Sequence, residues 1–379
     1  MTAPRFIQVH TLTSYPAVLL NRDDAGMAKR LPYGGTSRLR VSSQCLKRHW
    51  RMAQDNWALK NIGAPMAVRS RHVVERAIMP DIEGTPEVLE AVRVALAKKL
   101  FGDKNVEVAK RQALLLGRPE IDYLVRIARE AVAAGSVRAA EAAIEAALGK
   151  GEGKKNLAAM REVAGNLAAG LESALFGRMV TSDPEANTDA AIHVAHAFSV
   201  HAEETESDYF TVVDDLVRTE EGEAGTAGIF DTELTSGLFY GYVVIDLPGL
   251  RDNLGGDATL AGRVVEHLLH LIATVSPGAK KGSTAPYAYA DLMLVELGDA
   301  QPRSLAGAFR KAVPLTGDVL DAALAALAGQ LEAFDAAYGR GERRAALCTA
   351  PAHLPDTERL NLAALAAWAA AAAQETDTP

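Results

Sequence analysis

Cysteine is almost missing from this 379-residue chain: Cys45 and Cys348 are the only two. They lie far apart with no CxxC spacing, which speaks against a disulfide framework or a zinc ribbon and fits a reducing compartment. No N-terminal stretch reads as a leader, and no apolar run reaches the roughly 20 residues of a membrane span. The Ala-rich stretch near 361–373 comes closest, but Asn361 and its small residues predict an ordinary helix. These absences predict a cytoplasmic protein with no membrane partner. Acid is also missing from the most basic stretch of the chain. From Lys29 to Arg51 there are seven basic residues and no Asp or Glu.

That local gap matters more than the formal net charge of −8. Residues 1–51 hold nine basic side chains against Asp23 and Asp24, a net of +7, so the remainder carries −15. A polyanion docks where charge is concentrated, and here that is near the N-terminus. The segment 38–51 (RLRVSSQCLKRHWR) reads as a short strand running into a helix that starts at Ser42-Ser43. Unpaired N–H groups and the positive end of the dipole make such a junction an anion site. Arg38 and Arg40 precede the start at alternating strand positions, and Arg48 follows it. Gln44, Lys47 and Arg51 share one helix face, while Leu46, Trp50 and Ala53 share another that points to the core. An ordinary Ser cap on a solvated basic helix is the bland reading. The absence of local acidic partners favours nucleic acid, held through phosphate and sugar.

Periodicity organises the rest. Residues 6–12 (FIQVHTL) form a strand, followed by a loop through Asn21-Arg22-Asp23-Asp24 and Tyr33-Gly34-Gly35. Helices are expected near 86–101, 105–116, 119–134, 136–148 and 155–176, with a Gly-rich break at 149–153. Strands follow near 190–201, 209–216, 238–247 and 291–297. An acidic excursion with an exposed turn at 220–225 leaves and rejoins the sheet. An amphipathic helix covers 258–275, and helices fill most of 304–337 and 357–373. The last five residues are expected to be disordered. Without the helical insertion and the excursion, the order is strand, helix, strand, strand, helix, strand. That is an α+β class chain with the ferredoxin-like arrangement of RNA-recognition modules. The aromatic run that stacks bases on such sheets is missing, so stacking there is not expected. Lys280 and Lys281, framed by Pro-Gly and Gly-Ser just past a helix end, read as a loop offering donors to phosphate, although dipole complementation alone would explain them.

The stretches FIQVHTLTSYP with LNRDD, the block GG-x-x-RLRVSSQCLKR, GRMVTSD, DYFTVVDDL and SPGAKKGS occur in an order that resembles the CasC (Cse-type) crRNA-binding backbone subunit of the type I-E CRISPR Cascade complex. The resemblance spans nearly the whole chain. It implies a ferredoxin-like/RRM-like palm (1–58, 181–200 and 237–374, the last with C-terminal helices), helical fingers (59–180) and a β-hairpin thumb (201–236). It also implies several copies stacked as a helical filament along crRNA, target DNA paired through the guide, and other Cascade subunits as partners. Arg22, Ser42, Gln44, Lys47 and Arg51 would contact the guide backbone. Arg38, Arg40, Ser43, Arg48, Lys280 and Lys281 complete the expected RNA-binding set. Met179 and Ile229 would flank a kinked nucleotide; read alone, Met179 is an ordinary core methionine.

No cofactor, metal or enzymatic activity is expected. The pairs His193/His196 and His267/His270 lack a third ligand at regular spacing. The alternative is a metal-dependent ribonuclease using Asp23 or Asp24, or Asp214-Asp215, because related backbone subunits of other CRISPR types cleave target RNA with a loop aspartate. The bland reading has Asp23 or Asp24 ordering its own loop.

Overall fold

The computed structural model describes residues 3–148, 165, 167–180, 184–213, 226–339 and 341–375. The break at 149–153, half of the helix expected over 155–176, Asp214-Asp215, the turn at 220–225 and residues 376–379 lie outside them. The chain divides into two compact units. The first comprises residues 1–59, 194–244 and 264–379, and the second 60–193 and 245–263.

The first unit is built on one mixed sheet. Nine of its ten strands are β1 (Phe6–Val18), β2 (Arg30–Tyr33), β3 (Thr36–Val41), β4 (Ala197–Ser199), β5 (Thr205–Val213), β6 (Thr226–Asp246), β7 (Leu292–Gly298), β8 (Arg343–Cys348) and β9 (Thr357–Arg359). Eight run in the order β9-β8-β7-β1-β6-β4-β3-β2, and β5 pairs with β6 outside that path. β1 and β7 are antiparallel with Val9 opposite Val295, whereas β8 and β9 are parallel. The helices are α1 (Ser43–Arg51), α2 (Ala258–Thr274), α3 (Val319–Tyr338) and α4 (Leu362–Gln374). The molecule is therefore α+β.

Both faces of the sheet are covered, which explains why β1 and β7 are buried almost continuously instead of alternately. Leu46 and Trp50 of α1 and Ile272 of α2 border a cavity over Val9, Phe239 and Val243 on one face. On the other, Leu324, Leu327 and Leu331 of α3, with Leu305 and Phe309, bury Leu12, Tyr240 and Leu294. Polar side chains in these strands are paired, as burial demands. His10 bonds Tyr240 at 2.8 Å and Glu296 at 3.1 Å. Arg303 grips both Glu296 oxygens at 2.6 and 2.9 Å, and Arg344 joins Glu296 to Asp335. Burial alone would raise the Glu296 carboxyl, but the bonds from Arg303 and His10 outweigh it and hold it far below the usual range.

The acidic excursion is a β-hairpin. Thr205 to Val213 of β5 pairs antiparallel with the first part of β6, and β6 then continues as a sheet strand through Phe239 and Tyr240.

In the second unit, helices Pro86–Phe101, Arg118–Ala133 and Val137–Leu148 pack through Val92, Leu96, Leu124 and Ile144. One expectation is corrected. Residues 105–116 are not a helix: two short turns lead into strand Leu114–Gly117, which pairs with Ala67–Ser70. As expected, helices fill most of 304–337, through Ala306–Phe309 and α3, and most of 357–373, through α4. Residues 357–359 are a strand before α4 begins, because Arg344 to Ala346 offers them a free parallel edge.

Candidate nucleic-acid interface

The site grows from the β3–α1 junction. Gly34 and Gly35, at φ 63° and 82°, make the tight β2–β3 turn. A Cβ on Gly34 would lie 1.5 Å from the Arg310 carbonyl oxygen, so only glycine fits. Leu39 and Val41 bury on one side of β3. Ser42 then caps α1, its Oγ accepting the Cys45 N–H at 3.3 Å, a contribution of about 1 kcal/mol. Asn21 Oδ1 accepts the Ser42 N–H at 2.9 Å, and Lys29 N–H bonds the Asn21 carbonyl at 2.9 Å. These bonds tie the loop that carries exposed Arg22 to the helix start. No acid stands in the first turn of α1, while Arg48, His49 and Arg51 occupy its last turn.

The cations converge. His196 Nδ1 lies 3.0 Å from Arg40 Nη1. Burial lowers the His196 imidazole, and the charges of Arg40, Lys29 and Lys47 push it further down. Burial also lowers His49, against the raising effect of its 2.8 Å bond to the Cys45 carbonyl, and Lys281 and Arg48 add to the lowering. Lys29, Arg40 and Lys47 thus act on His196, and Arg48 and Lys281 on His49. Gln44 and Arg48 are exposed, and Lys47 and Arg51 are half-buried on the same helix. Sequence reasoning missed His49 and His196, whose positions beside these cations only the tertiary fold reveals.

Several expected contacts are corrected. Arg38 is fully buried. It donates to the Ser199 and Phe309 carbonyls at 3.0 Å each and to Thr36 Oγ1 at 2.8 Å, so its guanidinium faces protein. Ser42 and Ser43 are buried too, the first used as cap and the second donating to Gln44 Oε1 at 3.4 Å. The basic run also has acidic partners from far along the chain: Arg30 pairs with Glu203 at 2.6 Å and with Glu233. Lys280 and Lys281 are not on a free loop. The Ala279 N–H bonds the Leu19 carbonyl at 2.9 Å, and Lys280 Nζ engages Thr232 Oγ1 over the Phe210 ring. Lys281 is exposed at the start of a one-turn helix.

Met179 belongs to the second unit and is 80% exposed, the reverse of a core methionine. Its neighbours are anchored on both sides. Arg178 is buried against Glu120 at 2.7 Å and exchanges both backbone bonds with Thr188, and buried Val180 bonds Asn187 Oδ1 at 2.6 Å. Extended backbone with 178 and 180 turned inward leaves 179 outward. Ile229 pairs in register with Thr211 on the β5–β6 hairpin.

The remaining candidates are occupied otherwise. Asp23 Oδ1 accepts the Ala25 and Met27 N–H groups at 3.0 Å each, ordering its loop. His267 bonds the Trp57 carbonyl at 2.9 Å, and His270 stacks on Trp57 at 3.6 Å. Among the described residues no group of three or more His, Cys, Asp or Glu is placed to hold a metal ion, and no helix is long and apolar enough to cross a membrane. The arrangement is suited to holding an extended anion through cationic side chains around a helix start.

Comparison with known proteins identifies relatives of the fold. The fold is similar to a chain of a solved "CRISPR RNA-guided surveillance complex, pre-nicking", with a TM-score of 0.79 and 26% identity, covering 97% of this chain and 100% of that one. A chain of a second "CRISPR RNA-guided surveillance complex" aligns with a TM-score of 0.69 and 24% identity over 97% of this chain and 99% of that one. No curated protein matches the chain. A family model described as CT1975-like protein matches residues 7–372, and the chain belongs to that family.

Proposed function

We propose that this protein is a non-catalytic, crRNA-binding backbone subunit of a type I-E Cascade complex. In this reading copies assemble along the guide RNA and present its bases to target DNA, beside the other subunits of the complex. One observation carries the reading: Arg40, beside His196 at the end of β3, and Lys47 and Arg48 on α1 gather at a capped helix with no acid in its first turn. Such contacts are indifferent to sequence, which a subunit holding arbitrary guides requires. The order β7-β1-β6-β4, with α1 after the first of these strands in the chain and α2 after the third, supports a ferredoxin-like palm. The β5–β6 hairpin is the thumb, and outward Met179 is one of two apolar groups beside a displaced nucleotide, Ile229 the other. Asp23 orders its loop and is not a nuclease ligand.

Lys47→Ala with Arg51→Ala is expected to abolish RNA co-purification while the thermal midpoint stays close to wild type. The ratio of absorbance at the nucleic-acid and protein maxima, read beside a melting curve, decides it. Normal RNA content in the double variant would sink the reading.

A further inference from the structure

Residues 267–290 contain no acidic side chain, and they end in Tyr287 and Tyr289, each 74% exposed. Exposed tyrosines on a floppy loop would mean little, but this segment is pinned. Ala285 holds φ 41°, a left-handed conformation that is unusual for alanine and turns the chain out of the one-turn helix. Pro286 and Ala290 are buried, and Ala288 bonds Ser276 Oγ through both its N–H and its carbonyl at 2.9 Å. The Ala290 N–H bonds the Ala273 carbonyl at 2.8 Å. Inward positions 286, 288 and 290 therefore alternate with outward 287 and 289. Tyr287 and Tyr289 thus leave the pinned segment on its solvent side, one residue apart.

The surroundings decide the partner. Lys281 is exposed in the same loop, and its charge reaches His49 of α1. Exposed aromatic rings beside exposed cations suit a nucleic-acid strand, whose phosphates meet the cations while its bases stack on the rings. We propose that Tyr287 and Tyr289 form a stacking platform for two unpaired bases of single-stranded RNA. The platform extends the phosphate track of α1 and tolerates any sequence, because every base has a π-face. The inference rests on the RNA-binding reading given above.

The test uses the full chain assembled on oligo-uridine RNA, with a matched RNA carrying 4-thiouridine for photo-cross-linking. Tyr287→Leu with Tyr289→Leu is expected to lower RNA affinity by at least about ten-fold. Tyr287→Phe with Tyr289→Phe restores it, and wild-type cross-links map to the peptide holding the two tyrosines. Wild-type affinity in the leucine variant overturns the platform. Equal loss in the leucine and phenylalanine variants also overturns it, as does loss of self-assembly at unchanged RNA affinity, which would assign the tyrosines to a contact between copies. The Lys47→Ala, Arg51→Ala protein separates the two claims. If it loses RNA while the leucine variant does not, only the platform fails; if it keeps RNA, the function itself fails.

Discussion

Arg38 and Arg40 leave β3 on the same side, yet their surroundings differ within one strand repeat. The Ser199 and Phe309 carbonyls receive the Arg38 guanidinium, and the Tyr33 ring lies 5.8 Å from it. Arg40 sits beyond that cover, half-buried, with His196 beside it. Removing Arg38 would orphan two buried carbonyls at a cost of about 1–3 kcal/mol each. Arg38→Ala is therefore expected to lower the thermal midpoint markedly, whereas Arg40→Ala leaves the midpoint near wild type and weakens RNA binding. Differential scanning of both variants, with filter binding of RNA by the folded one, separates the roles. An Arg38→Ala protein that melts like wild type would show that the buried guanidinium is not holding this end of the sheet.

At the scale of the element, α1 carries both anchoring and binding. Trp50 is buried on the core side, while Gln44 and Arg48 are exposed. Its strand–helix boundary, its cap and its two faces were legible because they rest on local signals: apolar spacing, Ser at the cap, no acid in the first turn. The fate of Arg38 was not, since its acceptors lie 161 and 271 residues away. Leu114-Leu115-Leu116 was misread because a short apolar run fits a buried strand as well as a helix, and only its pairing with 68–70 decides. β8, reading RRAALC, lacks the β-branched residues that announce a strand. The same element carries a pH response. His49 and His196 both have lowered pKa values, so they are neutral near pH 7 and gain charge inside the cationic cluster as pH falls. Bound phosphate favours the charged forms. RNA affinity is expected to rise from about pH 7 to about pH 5 with proton uptake on binding. His49→Gln with His196→Gln flattens that rise. Affinity measured across the range, in two buffers of different ionisation enthalpy, checks both the trend and the uptake.

Over the whole molecule, a net charge of −8 opposes RNA binding. Screening removes the contradiction. At physiological salt the Debye length is about 8 Å, so distant acids contribute little at α1 while adjacent cations act nearly in full. Part of the basic segment is already neutralised, since Arg30 is held by Glu203 and Glu233 at the foot of the β5–β6 hairpin. The track is thus narrower than the count of seven basic residues between Lys29 and Arg51 implies. Salt dependence can count it. For single strands, each neutralised phosphate contributes about 0.7 to the slope of log affinity against log salt. Lys281→Ala is expected to lower that slope by about 0.7, and Arg40→Ala by a similar step. Arg30→Ala should leave the slope unchanged, because its charge is spent on two carboxylates. A potassium chloride titration of oligo-uridine binding reads all three. If Arg30→Ala lowers the slope as much as Lys281→Ala does, the RNA reaches the foot of the hairpin, and the narrow track confined to α1 and the 278–289 loop is the wrong path.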